Sequence, residues 1–380
     1  MKALFISSDQ NILNENSSVH ARMRTYAEAI GELHVAVRGK KQKTIQAGPL
    51  TVHGYKVQKL FAPLLLAKKV KKLIRAHQIE VVSAQDPFEH GWIGMQACKG
   101  TDAALHIQVH TDFLSPWFTK SHSLRSSTVR MPVLNSVRRM LANQVLPQAA
   151  GIRVVSERIK TSLIQTYGAR IPEPVVIPIE VPRELPEKLE LPPHNFTFAL
   201  IAASRLEPEK RIEDILDAIT QISARYPSVG LVLVGGGSER KRLEHMAVRL
   251  HIQDKIVFLG EKTPEETKGL LLSAHAFIQA SAYEGYGRSL IEAALAGLPI
   301  ITTDVGIVGE VFKGYEEVLS APVADPAALA VHIVGLVEDQ QARKLLSIGA
   351  KMAAERHLEA EGTVPARIAA DLAQATQTRY

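Results

Sequence analysis

Short apolar runs alternate with amphipathic helical patterns along most of this 380-residue chain. Such alternation is typical of parallel sheets with helices packed on both faces. A first series of strands is predicted at Ala3–Ser7, Leu33–Val37, Val81–Ser83, Leu105–His110, Ile152–Ser156 and Val175–Pro178. A second series is predicted at Thr197–Ala203, Gly230–Val234, Lys255–Leu259, Ala276–Ala280 and Pro299–Thr302. The same pattern therefore occurs twice, which predicts two α/β domains.

The boundary between the two series is a segment rich in proline and charge, Pro182–Pro193. Proline lacks the N–H that a central strand must donate, so this segment cannot sit inside a sheet. We therefore predict a first domain at 1–181, a linker at 182–196 and a second domain at 197–362. Residues 363–380 contain one amphipathic helix, Val364–Ala375.

Composition restricts the class of protein. Apolar residues make up 46% of the chain and charged residues 22%, as in soluble globular proteins. Cys98 is the single cysteine, so a disulfide framework is excluded and a reducing compartment is expected. The N-terminus lacks the pattern of a signal peptide, and no apolar stretch approaches the roughly 20 residues that span a bilayer. These features predict a cytoplasmic protein that would meet a membrane only at its surface.

The net charge of +6 is unevenly distributed. No acidic residue occurs from Phe113 to Ser156, and the helix predicted at Leu64–Arg75 has lysines opposite its apolar face. The basic residues of the acid-free span are Lys120, Arg125, Arg130, Arg138, Arg139 and Arg153. Both segments can contact anionic lipid or a phosphorylated lipid acceptor, and both are also consistent with a solvated surface. No recognition motif or stacking platform indicates nucleic acid.

Candidate chemistry is concentrated where the strand at Ala276–Ala280 ends. Glu284, Gly285 and Gly287 form a glycine-rich corner, and Glu292 lies in the short helix that follows. Glycines allow a sharp turn, and the unpaired N–H groups of a helix N-terminus attract an anion. Two carboxylates therefore bracket a predicted anion site.

The whole string SAYEGYGRSLIEAALAGLPIITTDVG, residues 281–306, resembles the Glu-x7-Glu signature of retaining glycosyltransferases of family 4. The resemblance implies the GT-B fold: α/β, with two Rossmann-like, doubly wound parallel-sheet domains facing a cleft, and a last helix that crosses back to the first domain. It also implies that Glu284 holds hydroxyls of the donor sugar and that Glu292 lies near the ribose. The backbone amides of Gly285, Tyr286 and Gly287 would face the sugar and phosphate.

Two cations follow the first strand of the second domain. Arg205 and Lys210 can neutralise a departing diphosphate without a metal ion. The resemblance implies the same, because the matching Arg and Lys of the family grip the donor phosphates. The family usually has glycine after that lysine, whereas this chain has Arg211. No Asp-x-Asp occurs, and no His, Cys or carboxylate cluster has metal-ligand spacing in the sequence, which predicts an enzyme without metal or bound cofactor.

Three glycines after the strand Leu231–Val234 are typical of a close backbone approach to a nucleotide. A dinucleotide-binding fingerprint is incomplete, since Arg240 occupies the place of its third glycine. We therefore predict donor contacts at Gly235 and Gly236. Leu259 lies in a segment that matches the family's border to the nucleobase.

The first domain resembles the family less closely. His110 ends a predicted strand and resembles the His of the family's Val-His-Asp segment, which lies beside the transferred sugar; Thr111 is inserted before the acid. The alternative is that His110 is only a polar residue at the end of the strand, without a role in sugar transfer. The family's glycine pair after the first strand is absent, and Ser17 and Ser18 are candidates to replace it as small residues and as a helix cap.

The predicted function is transfer of a sugar from a nucleotide diphosphate-sugar to a glycan or lipid-linked acceptor. The resemblance implies a retaining, front-face reaction in which the leaving phosphate helps to deprotonate the acceptor hydroxyl. Two alternatives stay open: a GT-B epimerase that acts on the nucleotide-sugar itself, and a catalytically idle GT-B binding or scaffold protein.

Overall fold

The computed structural model describes residues 1–57, 62–120, 130–360 and 362–378. They form two compact units. One unit comprises Met1–Leu114, Val133–Pro178 and Thr363–Tyr380, and the other comprises Ser115–Pro132 and Ile179–Gly362. The change of unit thus falls after Pro178, a few residues before the proline-rich segment, and the C-terminal helix belongs to the first unit.

Strands and helices alternate along most of the chain. The strands are β1 (Lys2–Ser7), β2 (Glu32–Arg38), β3 (Lys43–Ala47), β4 (Leu50–Tyr55), β5 (Val81–Ala84), β6 (Ala104–Val109), β7 (Gly151–Val154), β8 (Val175–Val176), β9 (Phe198–Ala203), β10 (Val229–Val234), β11 (Ile256–Gly260), β12 (Ala276–Gln279), β13 (Ile300–Thr303) and β14 (Leu319–Ala321). The helices are α1 (Ser18–Ile30), α2 (Ala62–His77), α3 (Glu89–Cys98), α4 (Pro116–Thr119), α5 (Arg130–Val145), α6 (Glu157–Tyr167), α7 (Ile212–Ile222), α8 (Arg240–Arg249), α9 (Pro264–Leu271), α10 (Arg288–Leu295), α11 (Gly314–Glu317), α12 (Pro326–Glu338), α13 (Gln340–Ala360) and α14 (Val364–Gln377).

The sheet of the first unit has, within the described residues, the strand order β3-β4-β2-β1-β5-β6-β7-β8. Its strands are parallel except that β3 pairs antiparallel with β4. The apolar pattern did not predict β3 or β4. β3 is an edge strand in which only Ile45 is buried, so it lacks the continuous apolar run that marks a central parallel strand.

Two helix layers cover this sheet. Residues of α1 and α14, among them Met23, Ile368 and Leu372, share one apolar core with β1, β2 and β4. Residues of α2 and α3 form the core on the other face, with Val70 fully buried. Helix α1 begins at Ser18 because Ser17 caps it: the Ser17 hydroxyl accepts a hydrogen bond from the His20 N–H at 3.1 Å.

The sheet of the second unit has, in the described part of the chain, the order β11-β10-β9-β12-β13-β14, and its strand pairs are parallel. Counted from β9, this is the order 3-2-1-4-5-6 of a doubly wound nucleotide-binding fold. Its carboxyl edge carries the predicted donor residues. The predicted α/β fold with two doubly wound sheets is thus confirmed.

None of the described helices combines the length and the apolar character needed to cross a bilayer.

The role of α14 in the core of the first unit yields a stability prediction. Leu372 is fully buried, so Leu372→Ala removes apolar contacts and leaves a cavity, which should cost about 2–5 kcal/mol of unfolding free energy. Gln374→Ala, at an exposed position of the same helix, is the control and should change little. Urea unfolding measures both. Equal stability of the two variants would contradict the packing of α14.

Candidate functional site

The candidate donor site lies at the carboxyl edge of the second sheet, where the strand order reverses. β9 pairs with β10 on one side and with β12 on the other. Arg205 follows β9, Gly235 follows β10, and Glu284 follows β12. Ligands of open parallel sheets bind in the crevice at such a switch point. The fold therefore brings residues far apart in sequence to one edge.

Lys210 and Glu284 form an ion pair across this switch point. The Lys210 Nζ lies 2.5 Å from the Glu284 Oε1, and each side chain is 14% exposed. The Ser281 hydroxyl donates to the same carboxylate oxygen at 2.7 Å. The two loops are also joined through their backbones, because the Ala282 N–H donates to the Glu209 carbonyl at 2.8 Å. Lys210 thus keeps a fixed position and retains two further N–H donors for a ligand.

Arg205 contrasts with Lys210 in its exposure. Its side chain is 71% exposed, and its Nη2 donates a hydrogen bond to Glu209 Oε1 at 2.9 Å. Such an exposed ion pair is weak and restrains the guanidinium little. Arg205 lines a cavity of about 330 Å³ whose wall contains Gly235, Gly236 and Glu292. The cavity also contains residues that the sequence pattern did not single out: Ser204, Glu261, Lys262 and Thr267.

The glycines after β10 form part of the cavity wall because side chains do not fit there. Gly235 has a φ of +132°, and a Cβ on it would lie 1.9 Å from the Ser204 carbonyl oxygen. A Cβ on Gly237 would lie 2.3 Å from the Leu206 carbonyl oxygen. The loops after β9 and β10 therefore touch backbone to backbone, which leaves room for a ligand above them. Leu259 lies at the adjacent strand end in β11 and is partly buried.

The corner after β12 has the predicted shape. Gly287 has a φ of +94° and stands directly before α10. Within α10, Glu292 accepts a hydrogen bond from Arg288 Nε at 2.8 Å, so Arg288 is a second cation near the corner that sequence reasoning missed. Tyr286 is different: its side chain is buried and its hydroxyl lies 2.8 Å from His357 Nε2. Only the backbone of Tyr286 therefore stays a candidate for contact with a donor.

The backbone conformation at Arg211 shows why the family usually has glycine there. Its φ of +48° and ψ of +43° are left-handed, a conformation that glycine adopts without cost. The guanidinium forms two hydrogen bonds with Asp214, at 2.6 and 2.9 Å, and its Cζ lies 5.5 Å from the centre of the Trp117 ring. A bidentate pair and a cation–π contact therefore offset the strain of a non-glycine residue.

His110 follows β6 in the first unit, and its ring is tied to that strand. Its Nε2 lies 3.1 Å from Gln108 Oε1. A carbonyl oxygen only accepts, so we assign the proton to Nε2 and the free lone pair to Nδ1. Burial, together with the Arg153 guanidinium, lowers the pKa of His110 to about 3. The ring is therefore neutral near pH 7 and can accept a hydrogen bond through Nδ1.

A buried chain of hydrogen bonds runs from Gln108 to the C-terminal helix. Gln108 Nε2 donates to Ser83 Oγ at 2.9 Å, Ser83 Oγ lies 2.9 Å from His106 Nδ1, and His106 Nε2 lies 2.9 Å from Asp371 Oδ2. Ser83 accepts from Gln108, so its own proton goes to His106, whose other N–H donates to Asp371. The sequence of contacts Ser83–His106–Asp371 resembles a hydrolase triad. All three side chains are buried and out of reach of a substrate, so the network fixes the arrangement of the core instead.

Arg153 completes this network and is not a surface cation. Its guanidinium donates to Gln108 Oε1 at 2.8 Å and to the carbonyls of Ile177 and Pro178 at 3.0 and 2.8 Å. Its sequence-based grouping with the basic surface residues is wrong, because its position on central strand β7 turns it inward. The sequence signal for this network was the alternation of polar residues, His106 and Gln108 on β6 and His110 directly after it.

Solved structures of glycosyltransferases share this fold. Sucrose-phosphate synthase from Thermosynechococcus elongatus is 18% identical, aligns over 100% of both chains and has a TM-score of 0.80. Anabaena HepE, solved with UDP and glucose, is 22% identical over 98% of this chain and 99% of that one, with a TM-score of 0.74. Identities this low show the fold alone.

Family models cover most of the chain. "Glycosyl transferases group 1" matches residues 187–352, and "Glycosyltransferase Family 4" matches residues 19–184. The chain belongs to the GT-B glycosyltransferases of this group 1 and family 4 type. One curated relative is a phosphatidylinositol N-acetylglucosaminyltransferase subunit of Arabidopsis thaliana, 27% identical over 47% of this chain and 40% of that protein. The matched segments cover 40%, 29% and 54% of the first three curated relatives, about half their length or less.

The left-handed backbone at Arg211 leads to a pair of variants that lose the same side-chain contacts. Arg211→Ala keeps the strained conformation, whereas Arg211→Gly relieves it, so the glycine variant should be more stable by about 1 kcal/mol. His245 lies at an exposed position within helix α8 and serves as the control. There His245→Ala should be more stable than His245→Gly by a similar amount. Urea unfolding of the four variants measures both differences. The same order at both positions would contradict strain at Arg211.

Proposed function

We propose that this protein transfers a sugar from a nucleoside diphosphate-sugar to a lipid-linked or glycan acceptor, with retention of anomeric configuration and without a metal ion. The supporting observation is the Lys210–Glu284 pair at the switch point, beside the cavity that Arg205, Gly235 and Glu292 line. This set offers cations for a diphosphate, a carboxylate for sugar hydroxyls and open backbone for a nucleotide.

In the proposed reaction the bond between the anomeric carbon and the phosphate oxygen breaks, and its electron pair leaves with the phosphate. The acceptor hydroxyl oxygen bonds to the anomeric carbon on the same face, and its proton passes to a phosphate oxygen. Arg205 and Lys210 offset the charge that grows on the diphosphate. Glu284 fixes the donor sugar, so that the protein's contribution is mainly positioning and charge stabilisation.

A uridine diphosphate-sugar is the donor to test first, because HepE was solved with UDP and glucose and the Arabidopsis relative is named an N-acetylglucosaminyltransferase. His110 would accept a hydrogen bond from the transferred sugar through its Nδ1. An epimerase would need an acid and a base at the sugar, and the neutral His110 with a pKa of about 3 gives no support for a protonated acid there.

A lipid acceptor is supported by an apolar stripe on α5 in the first unit. Val133, Val137 and Met140, spaced as one helical face, are 64%, 42% and 56% exposed. They lie in the acid-free span, where Arg138 and Arg139 are partly buried and Arg138 bonds to Glu89 at 3.1 Å. Arg125 lies outside the described residues. We propose that this stripe inserts into a bilayer with anionic lipid, consistent with the named lipid substrate of the Arabidopsis relative.

The phosphate clamp gives the main test. Arg205→Ala and Lys210→Ala should each lower turnover of a UDP-sugar by roughly 10²-fold, the scale for loss of one group that stabilises a transition state. Arg225→Ala is the control, because Arg225 is similarly exposed and ion-paired but precedes β10, at the amino edge. Turnover measured in the presence of EDTA should stay unchanged for the wild type.

Two outcomes would contradict parts of this proposal. Near-normal turnover of both Arg205→Ala and Lys210→Ala would contradict a role of these two residues in phosphate binding. Dependence of turnover on added magnesium after chelation would contradict a metal-free mechanism. Because Lys210→Ala leaves Glu284 without its ion-pair partner, urea unfolding of this variant checks whether the loss of turnover comes from a disturbed loop. An idle scaffold protein would neither transfer nor hydrolyse any donor sugar.

The stripe on α5 yields a second prediction. Val137→Ser with Met140→Ser should weaken binding to vesicles that contain phosphatidylglycerol by about 10-fold or more, because two apolar side chains no longer enter the bilayer. The matched pair Leu345→Ser with Ile348→Ser, also exposed apolar residues on a helix, should bind as the wild type does. Cosedimentation at low and high salt measures both. Equal loss in the two pairs, or no dependence on anionic lipid, would contradict membrane contact by α5.

A further inference from the structure

The amino edge of the first sheet holds a group of histidines and a carboxylate that the proposed reaction does not use. Glu32 and His34 lie at the start of β2, and His77 is the last residue of α2. Their ligand atoms all lie within 4.8 Å of one another, and His34 Nε2 is 3.0 Å from Glu32 Oε1. Spacing along the chain does not predict this group, because the fold creates it by placing the end of α2 over β2. The sequence contains no such cluster when only spacing along the chain is considered.

We propose that Glu32, His34 and His77 form a binding site for Zn²⁺ that fastens the end of α2 to β2. Two imidazoles and a carboxylate are ligands that zinc takes, with water as the fourth. Tetrahedral bonds of about 2.0–2.1 Å need ligand atoms about 3.3 Å apart, so closure requires movements of about 1 Å. Glu32 and His77 are partly exposed and can move by rotation of their side chains, whereas buried His34 is fixed.

A second layer supports His34 as a ligand. His34 Nδ1 lies 3.0 Å from Nε2 of the buried His53 on β4. With a metal on Nε2, the Nδ1–H of His34 donates to His53, the arrangement that fixes the tautomer of many metal-bound histidines. The carbonyl end of α2, at His77, also favours a cation. The positive charge of Lys2 disfavours a second cation here, because Lys2 Nζ lies 3.4 Å from Glu32 Oε2. The other carboxylate oxygen, Glu32 Oε1, lies next to His34.

The proposed zinc site lies away from His110, the candidate residue for sugar transfer in the same sheet. His110 follows the carboxyl end of β6, whereas Glu32 is the first residue of β2, and the two strands belong to one largely parallel sheet. A zinc ion at Glu32 is therefore at the opposite edge from His110 and would act on stability. The inference does not depend on the proposed sugar transfer.

Zinc binding tests the inference in the full chain, purified without a polyhistidine tag, stripped with EDTA and desalted. Calorimetry with zinc chloride should show one site, and Co²⁺ should give the visible bands of a tetrahedral complex. His77→Ala and Glu32→Gln should each weaken zinc binding at least 10-fold and abolish the rise in melting temperature that zinc causes in the wild type. His53→Gln should weaken it by about 10–100-fold, as second-layer changes do.

His245→Ala, which removes an exposed histidine on α8, is the matched control and should bind zinc as the wild type does. Circular dichroism checks that each variant is folded, and Glu32→Gln, at a partly exposed position, keeps the test open if His77→Ala unfolds. The inference is overturned if the stripped wild type binds no zinc, or if His245→Ala loses as much affinity as His77→Ala and Glu32→Gln.

Discussion

The ion pair between Lys210 and Glu284 is the interaction on which the candidate donor site depends. It joins the loops after β9 and β12 across the switch point of the second sheet, with the Ala282 N–H bonded to the Glu209 carbonyl beside it. The backbone beside this ion pair is also unusual. Lys210 ends a single 3₁₀ turn, so the chain must reverse at Arg211 to begin α7, which requires the left-handed backbone found there. Glu284 balances the charge of Lys210 in this structure, so a diphosphate bound there would share the lysine with that carboxylate.

The first unit uses buried polar contacts in a comparable way. In the chain from Gln108 through Ser83 and His106 to Asp371, each donor has an acceptor. A fully paired network in a low-dielectric core favours one arrangement of its side chains. It connects His110 at the carboxyl edge with the last helix of the chain. The position and tautomer of His110 therefore depend on α14, although Asp371 is far from His110 in sequence. The same helix supplies Leu372 to the apolar core.

Charge is divided between the edges and faces of the molecule. The carboxyl edge of the second sheet gathers Arg205, Lys210 and Arg288 with three glutamates, whereas the amino edge of the first sheet gathers histidines around Glu32. The apolar residues exposed on α5 lie in a span without a single acidic residue. We propose a separate task for each of these regions, namely donor binding, a metal site and membrane contact.

The sequence by itself determined the α/β alternation, most strands to within two residues, and the glycine-rich corner after β12, because continuous apolar runs and glycines with positive φ are local requirements. It did not determine the edge strand β3, in which only Ile45 is buried, nor its neighbour β4, nor the buried side chains of Arg153 and Tyr286. Only the tertiary structure decided the partners: Glu284 for Lys210, Asp371 for His106, and His77 for His34. Distance between side chains is set by how helices pack on a sheet, and no spacing along the chain encodes it.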